Sequence, residues 1–251
     1  MTQYMFGTGQ LYATPVGGGN PLRIGALQDV SVDFSGDTKQ LFGQYQFPLD
    51  VARGKTKIEG KIGTANVDVA AYNTLFFGGS LTNNSEKKQV VNETGTVPAV
   101  GPYTVTVANA GTFYIDLGVL DVTSGATLKQ VSGAPATGEY SVAAGVYTFN
   151  AAQLSNAVVI NYIYTATTTG SGTLSLTNNL MGSTPKFQLI ASQVFNGKQF
   201  TLCLYTCVAD KLSLPLKQDD YTIGEMTYSA QADATNTIGF ISTTSATGGG
   251  A

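Results

Sequence analysis

The chain carries few groups that could do chemistry. It has no histidine and no tryptophan, and its only thiols are Cys203 and Cys207. Without histidine, Ser-His-Asp and Cys-His nucleophilic arrangements cannot be built in their usual form. His-based zinc, copper and non-haem iron sites go with them. Two cysteines are also too few for a four-cysteine zinc site. Acid–base work would fall to carboxylates. Asp219 and Asp220 are adjacent, so on a strand they point to opposite faces and cannot share a proton. Pairing one of them with Glu225 is the remaining glycosidase-type arrangement, and no spacing singles it out. Asp29, Asp33 and Asp37 recur every four residues, but without the close-packed ligand run of a calcium loop they read as a solvated strand face. Gly17-Gly18-Gly19 is followed by no Lys-Ser/Thr, and Pro21 breaks any helix there, so it is not a phosphate loop. The sequence therefore predicts no enzyme, no cofactor and no metal.

The two cysteines lie in Phe200–Cys207, which reads as a strand. Four residues apart places both on one face, separated by roughly 13 Å at ~3.3 Å per residue. That is beyond disulfide reach, so both are expected to be small buried core residues.

The elements that must position any site are strands. Of 251 residues, 43% are hydrophobic and only 12% charged, and 33 are threonine. Threonine and valine favour strands, and the charge-rich patterns of surface helices are scarce. The expected fold class is all-β with one short helix. A net charge of −3 gives no basic footprint for nucleic acid. No apolar run approaches the ~20 residues of a membrane helix, and Met1-Thr2-Gln3-Tyr4 opens no signal-peptide pattern.

Three parts follow along the chain. In residues 1–84, strands are expected at Gln10–Thr14, Ala26–Ser35 and Asp50–Gly63. In the last, Arg53, Lys55, Lys57, Glu59 and Lys61 alternate with Ala52, Thr56, Ile58 and Ile62. Gly36–Leu49, between them, reads as a loop or hairpin. A helix is expected over Asn66–Phe77, capped by Asn66, with Asp68 in its first turn and Gly78-Gly79 as its stop. Residues 85–174 change character: three Lys, no Arg and five acidic residues lie between Ser85 and Gly170. Expected strands here are Tyr103–Val107, Thr112–Leu117, Gly145–Phe149 and Ala157–Tyr164. The dense turns between them suggest a small inserted, immunoglobulin-like β-sandwich. Residues 175–251 are strand-rich again, at Pro185–Val194, Gln199–Val208, Thr222–Ala232 and Thr237–Thr243, before a tail, Thr243–Ala251, expected to be flexible. Ser80-Leu81-Thr82-Asn83-Asn84 recurs as Ser175-Leu176-Thr177-Asn178-Asn179. The copies bracket the middle part and read either as chance or as the seams of an insertion.

What the sequence does suggest is self-association. Aromatic-bearing arms at Met1–Pro21, which is uncharged, and Gly36–Phe47, whose only charges are Asp37 and Lys39, bury too little to order themselves in a monomer. They make sense folded onto neighbouring subunits. Candidate interface residues are Leu11 and Tyr12 on the first arm, and Leu41, Phe42, Tyr45 and Phe47 on the second. The basic face Arg53, Lys55, Lys57 and Lys61 near the front, set against Asp219, Asp220, Glu225 and Asp233 at the back, could steer a head-to-tail contact.

A resemblance sharpens this. Gly25–Ser35, Lys39-Gln40-Leu41-Phe42-Gly43, Phe47-Pro48-Leu49-Asp50-Val51-Ala52-Arg53-Gly54 and Ala70–Gly79 resemble the N-terminal half of the tail tube proteins of tailed bacteriophages. Leu212–Ile223 and Ser229-Ala230-Gln231-Ala232-Asp233-Ala234, leading into Ile238-Gly239, look like that family's closing motif. The middle part, with Pro102–Val107 and Gly145–Phe149, is similar to β inserts of some phage structural proteins. The resemblance implies a β-sandwich or barrel subunit. Six such subunits would form a ring whose inner strands join into a barrel, and rings would stack into a tube in the virion tail. It implies assembly in the host bacterial cytoplasm, with the tape measure, tail-tip and tail terminator proteins as partners. DNA would pass through an acidic lumen without specific binding, and the middle part would face outward. The rival reading is a capsid decoration, head-fibre or adhesion protein whose middle part binds a surface ligand.

Overall fold

The computed structural model describes residues 4–244. It is mostly strand with one short helix, an all-β fold. The first stretch forms β1 (Gln10–Pro15), β2 (Leu22–Ile24), β3 (Leu27–Phe42) and β4 (Pro48–Thr64), then helix α1 (Val69–Tyr72). After β5 (Leu81–Asn83) come β6 (Glu86–Thr96), β7 (Thr104–Thr106), β8 (Phe113–Asp121), β9 (Ala126–Thr127), β10 (Lys129–Gln130), β11 (Glu139–Ala143), β12 (Val146–Phe149) and β13 (Ala157–Ala166). β14 (Gly172–Leu174) leads to β15 (Lys186–Phe195), β16 (Lys198–Ser213), β17 (Gly224–Gln231) and β18 (Gly239–Thr243). The chain divides into two compact units: residues up to Leu81 with those from Leu174 onward, and Thr82–Thr173. The two crossings, β5 and β14, pair with each other. Of the repeated pentapeptides, the first runs into this ladder and the second follows it, and Ser175 N donates to Ser80 O at 3.2 Å.

In the first unit one antiparallel sheet runs in the order β2-β1-β15-β16-β17-β4-β3. Its centre is the long β16. The first part of β16 pairs β15 on one edge and β18 on the other, and its last part pairs β17. The sheet wraps a core of Leu11, Ile62, Leu75, Phe187, Leu189, Leu204, Met226 and Tyr228. Tyr228 is fully buried because β4 has a glycine opposite it. A Cβ on Gly60 would run into the Tyr228 ring and the Ser31 carbonyl, which accepts from the Tyr228 hydroxyl at 3.4 Å.

Two sequence expectations need correction here. The helix starts later than Asn66, because Asp68 is itself the cap. Asp68 Oδ1 accepts from Ala70 N at 2.9 Å and Ala71 N at 3.2 Å, the N-cap arrangement. After α1 the turn widens to a π-helix over Asn73–Phe77 and stops at Gly78, whose φ of 61° suits a glycine. The cysteines do not share a face. The β15–β16 ladder slips between Phe187↔Cys207 and Leu189↔Leu204, with one extra residue on β16. A bulge of this kind flips the side-chain alternation. Cys207 therefore joins the core with Leu202 and Leu204, while Cys203 sits on the opposite face, accepting from Gln188 Nε2 at 3.6 Å. Both remain free and buried. Burial pushes the Cys207 thiol up to about 12. Of the expected flexible tail, only Thr243 and Thr244 fall within the described residues; Thr244 N donates to Gln199 O at 3.0 Å.

The second unit has two four-stranded sheets, β6-β13-β8-β9 and β10-β11-β12-β7, sharing one core that includes Val119, Tyr140, Tyr147, Val158 and Tyr162. A carboxylate joins the sheets. Asp116 of β8 accepts from the Tyr147 hydroxyl of β12 at 2.7 Å and from the Tyr140 hydroxyl of β11. Asp121, only 2% exposed, ties the β8–β9 turn to Asn156. It accepts from Thr123 N, Ser124 N and Asn156 Nδ2.

Candidate functional site

The β3–β4 hairpin outgrows the sheet that carries it. β17 covers β4 only from Ile58 to Thr64, yet β3 and β4 pair onward from Ser35↔Lys57 to Phe42↔Pro48. The segment read from sequence as a loop or hairpin is a hairpin, a two-stranded arm closed by Gly43–Phe47. Every residue from Ser35 to Lys57 except Pro48 is exposed. At its tip stand Leu41, Phe42, Tyr45, Phe47 and Leu49, with Phe47 81% exposed. An isolated two-stranded hairpin is marginal in water, and clustered exposed apolar side chains of this size mark a contact surface.

Beside the arm's root lies an open trough. On one wall, β3 and β4 contribute Val30, Val32, Phe34 and Ile58. On the other, β16 and β18 contribute Leu202, Leu204 and Ile241, with Ile238 just before β18. Three adjoining hollows of about 670, 300 and 440 Å³ share Phe34 as a common wall. Phe34 is 58% exposed, although its partner on the strand face, Val32, is half-buried against the core. The strands flanking the trough are open-edged. Among the described residues β3 pairs only β4, and β18 pairs only β16. Unpaired strand edges of this kind template pairing with another chain.

The sequence-derived candidates separate into three groups. Leu41, Phe42, Tyr45 and Phe47 come together at the arm tip, and Arg53 and Lys55 stand exposed along the arm. Leu11 does not belong to an interface: it is 0% exposed, in the core. Gln10–Pro15 is no free arm but β1, ordered by pairing β15 and β2 of its own chain. Tyr12, on the other face of β1, is half-buried and donates to Gln10 Oε1 at 3.4 Å.

The charge pattern is also corrected. β17 pairs β4 within the same chain, so the acidic segment and the basic face are neighbours in one sheet. Lys61 Nζ lies 2.8 Å from Glu225 Oε1 and 3.9 Å from Asp29 Oδ2, and Lys57 lies 2.9 Å from Glu59. The hydrogen bond from Lys61 holds the Glu225 carboxyl below its ordinary range. Asp220 pairs Lys217 at 3.0 Å, and that contact lowers it likewise. Asp233 closes its own turn, accepting from Thr237 N and Thr235 N. Asp219 is exposed beside these. Charges satisfied inside one subunit give little steering between two.

Sequence reasoning missed the trough. Phe34, Ile238, Phe240 and Ile241 are all exposed large apolar residues, and each sits inside an expected strand where an apolar residue reads as core. Their one signal was the imperfect alternation of β3, where Phe34 falls between Asp33 and Ser35. No protein-family model matches the chain, and no curated protein matches it.

Proposed function

We propose that this chain is a structural subunit that assembles with copies of itself, and that the assembly is the tail tube of a phage virion. One observation carries the self-assembly reading: a projecting arm with an uncharged apolar tip, set beside open strand edges and an apolar trough. These features expose aggregation-prone surface in a monomer, and joining copies edge to edge would cover it. The tube reading adds the resemblance to tail tube proteins of the β3–β4 segments, Ala70–Gly79, Leu212–Ile223 and Ser229–Ala234, with rings of six as the expected unit. It assigns no catalytic role.

The test is negative-stain electron microscopy of the purified protein over a concentration series. Rings or hollow tubes support the proposal. Monodisperse particles at every concentration, with and without a tail-tip nucleus, refute it. The rival reading, a decoration or adhesion protein, draws on the separate core of the second unit. Excising Thr82–Thr173 separates the two: a tube subunit still forms rings, whereas an adhesin loses its ligand.

A further inference from the structure

The arm tip and the trough are complementary in chemistry and cannot meet within one chain. From Gln40 to Leu49 the tip holds no charged residue, so seating it in an apolar site strands no charge. The trough is apolar along its floor. Its charged lining residues, Arg53, Lys57 and Asp29, occupy the outer hollows rather than the central one. Hollows of this size fall in the ~300–1,000 Å³ range in which proteins enclose compact ligands, enough for aromatic side chains such as Phe42, Tyr45 and Phe47. The polar groups at the tip, Gln44, Gln46 and the Tyr45 hydroxyl, would meet free backbone groups along the β3 and β18 edges.

Reach decides the partner. From Gly36 to Phe42 the ladder is continuous apart from local bulges. Thr38 still lines an outer hollow, and the four steps of ~3.3 Å from it to Phe42 carry the tip about 13 Å beyond the trough of its own copy, while a paired ladder does not fold back on itself. The geometry points to a head-to-tail junction in which the arm tip of one copy seats in the trough of a second. This rests on the self-assembly reading and names its docking surface. Because tip and trough are different patches of one chain, the contact is heterologous. Reciprocal exchange of two arms closes a dimer; a one-way contact leaves an arm and a trough free at the ends, and the junction then propagates into closed rings or open filaments.

The test uses two full-length variants, Phe47→Asp in the arm and Ile238→Asp in the trough, followed by sedimentation velocity. Each alone should raise the assembly midpoint more than tenfold. Mixed in equal amounts, the first supplies an intact trough and the second an intact arm. They should form a one-to-one heterodimer and nothing larger. Unchanged near-UV circular dichroism controls for folding. If either variant misfolds, Tyr45→Lys and Phe34→Lys, both at exposed positions, replace the pair. Wild-type-like assembly by a folded single variant, or a mixture that stays monomeric, overturns the junction while leaving self-assembly standing. A wild-type chain that never assembles overturns both.

Discussion

The Asp116 network of the second unit allows a prediction with a worked magnitude. Asp116 accepts from two tyrosine hydroxyls that approach from the opposite sheet, and Tyr140 and Tyr147 are 2% and 0% exposed. In Asp116→Ala both hydroxyls lose their acceptor while staying buried. A stranded buried polar group costs about 1–3 kcal/mol, so the variant should lose about 2–6 kcal/mol. For a domain of this size each kcal/mol shifts the midpoint by about 4–8 °C, so a drop of at least ~8 °C is expected. Asp116→Asn keeps an acceptor but loses the charge and should fall between. The decisive variant is the triple Asp116→Ala, Tyr140→Phe, Tyr147→Phe. It removes both hydroxyl donors with their acceptor, leaves only the Gly118 amide without its Asp116 partner, and should recover much of the loss. Thermal and urea unfolding of the full chain, followed by near-UV circular dichroism of the tyrosines, reads these differences. A loss under about 0.5 kcal/mol in Asp116→Ala, or a triple variant less stable than the single one, would refute the reasoning.

Three further outcomes follow from the geometry. Excising the matched segment Asp37–Lys55, with an Asn-Gly turn closing Gly36 onto Thr56, should leave the melting midpoint within 2–3 °C of wild type, because the removed residues are almost all exposed, and should abolish assembly in the concentration series. Deleting Gly36–Phe47 alone removes only the exposed outer part of β3 and leaves Leu27–Ser35 paired with Lys57–Thr64, so it should likewise give folded chains that do not assemble. Leu11→Ala should cost about 2–5 kcal/mol as a core cavity and leave the assembly of the folded fraction unchanged, as urea unfolding and sedimentation together would show. Burial pushes the Asp121 carboxyl up, but hydrogen bonds from Asn156, Ser124 and Thr123 outweigh it and hold the group below its ordinary value. A carboxylate lowered in the folded state contributes stability that is complete above its unfolded pKa of ~3.9 and is lost as pH falls through the folded value. Stability measured from pH 5 down to 2 should therefore fall less steeply in Asp121→Asn than in wild type.

Much of the architecture was legible locally. The alternation of Arg53, Lys55, Lys57, Glu59 and Lys61 belongs to a real strand, and Gly78 ends the helical turn as its type requires. β6 was missed because Glu86, Lys87, Lys88 and Glu93 make it read as solvated, although partners along its length hold it in the ladder with β13. The helix cap moved from Asn66 to Asp68 because two capping-type residues two positions apart compete, and only the approach of the Ala70 and Ala71 amides chooses between them.

Taken alone, the sequence determined what depends on residue type and short-range period. An all-β fold follows from its threonine and valine, the lack of histidine-based chemistry from its composition, and an uncharged aromatic tip from the run Leu41–Leu49. Which strand lies beside which was left to tertiary structure, because antiparallel pairing joins segments far apart in the chain. β17 meets β4 across some 160 intervening residues, and that pairing turns Lys61 and Glu225 from an imagined contact between copies into an ion pair within one. A single extra residue in β16 sends Cys203 and Cys207 to opposite faces. Leu11 is core because β15 and β2 enclose β1, and Phe34 is exposed because, among the described residues, no strand covers the edge beside it.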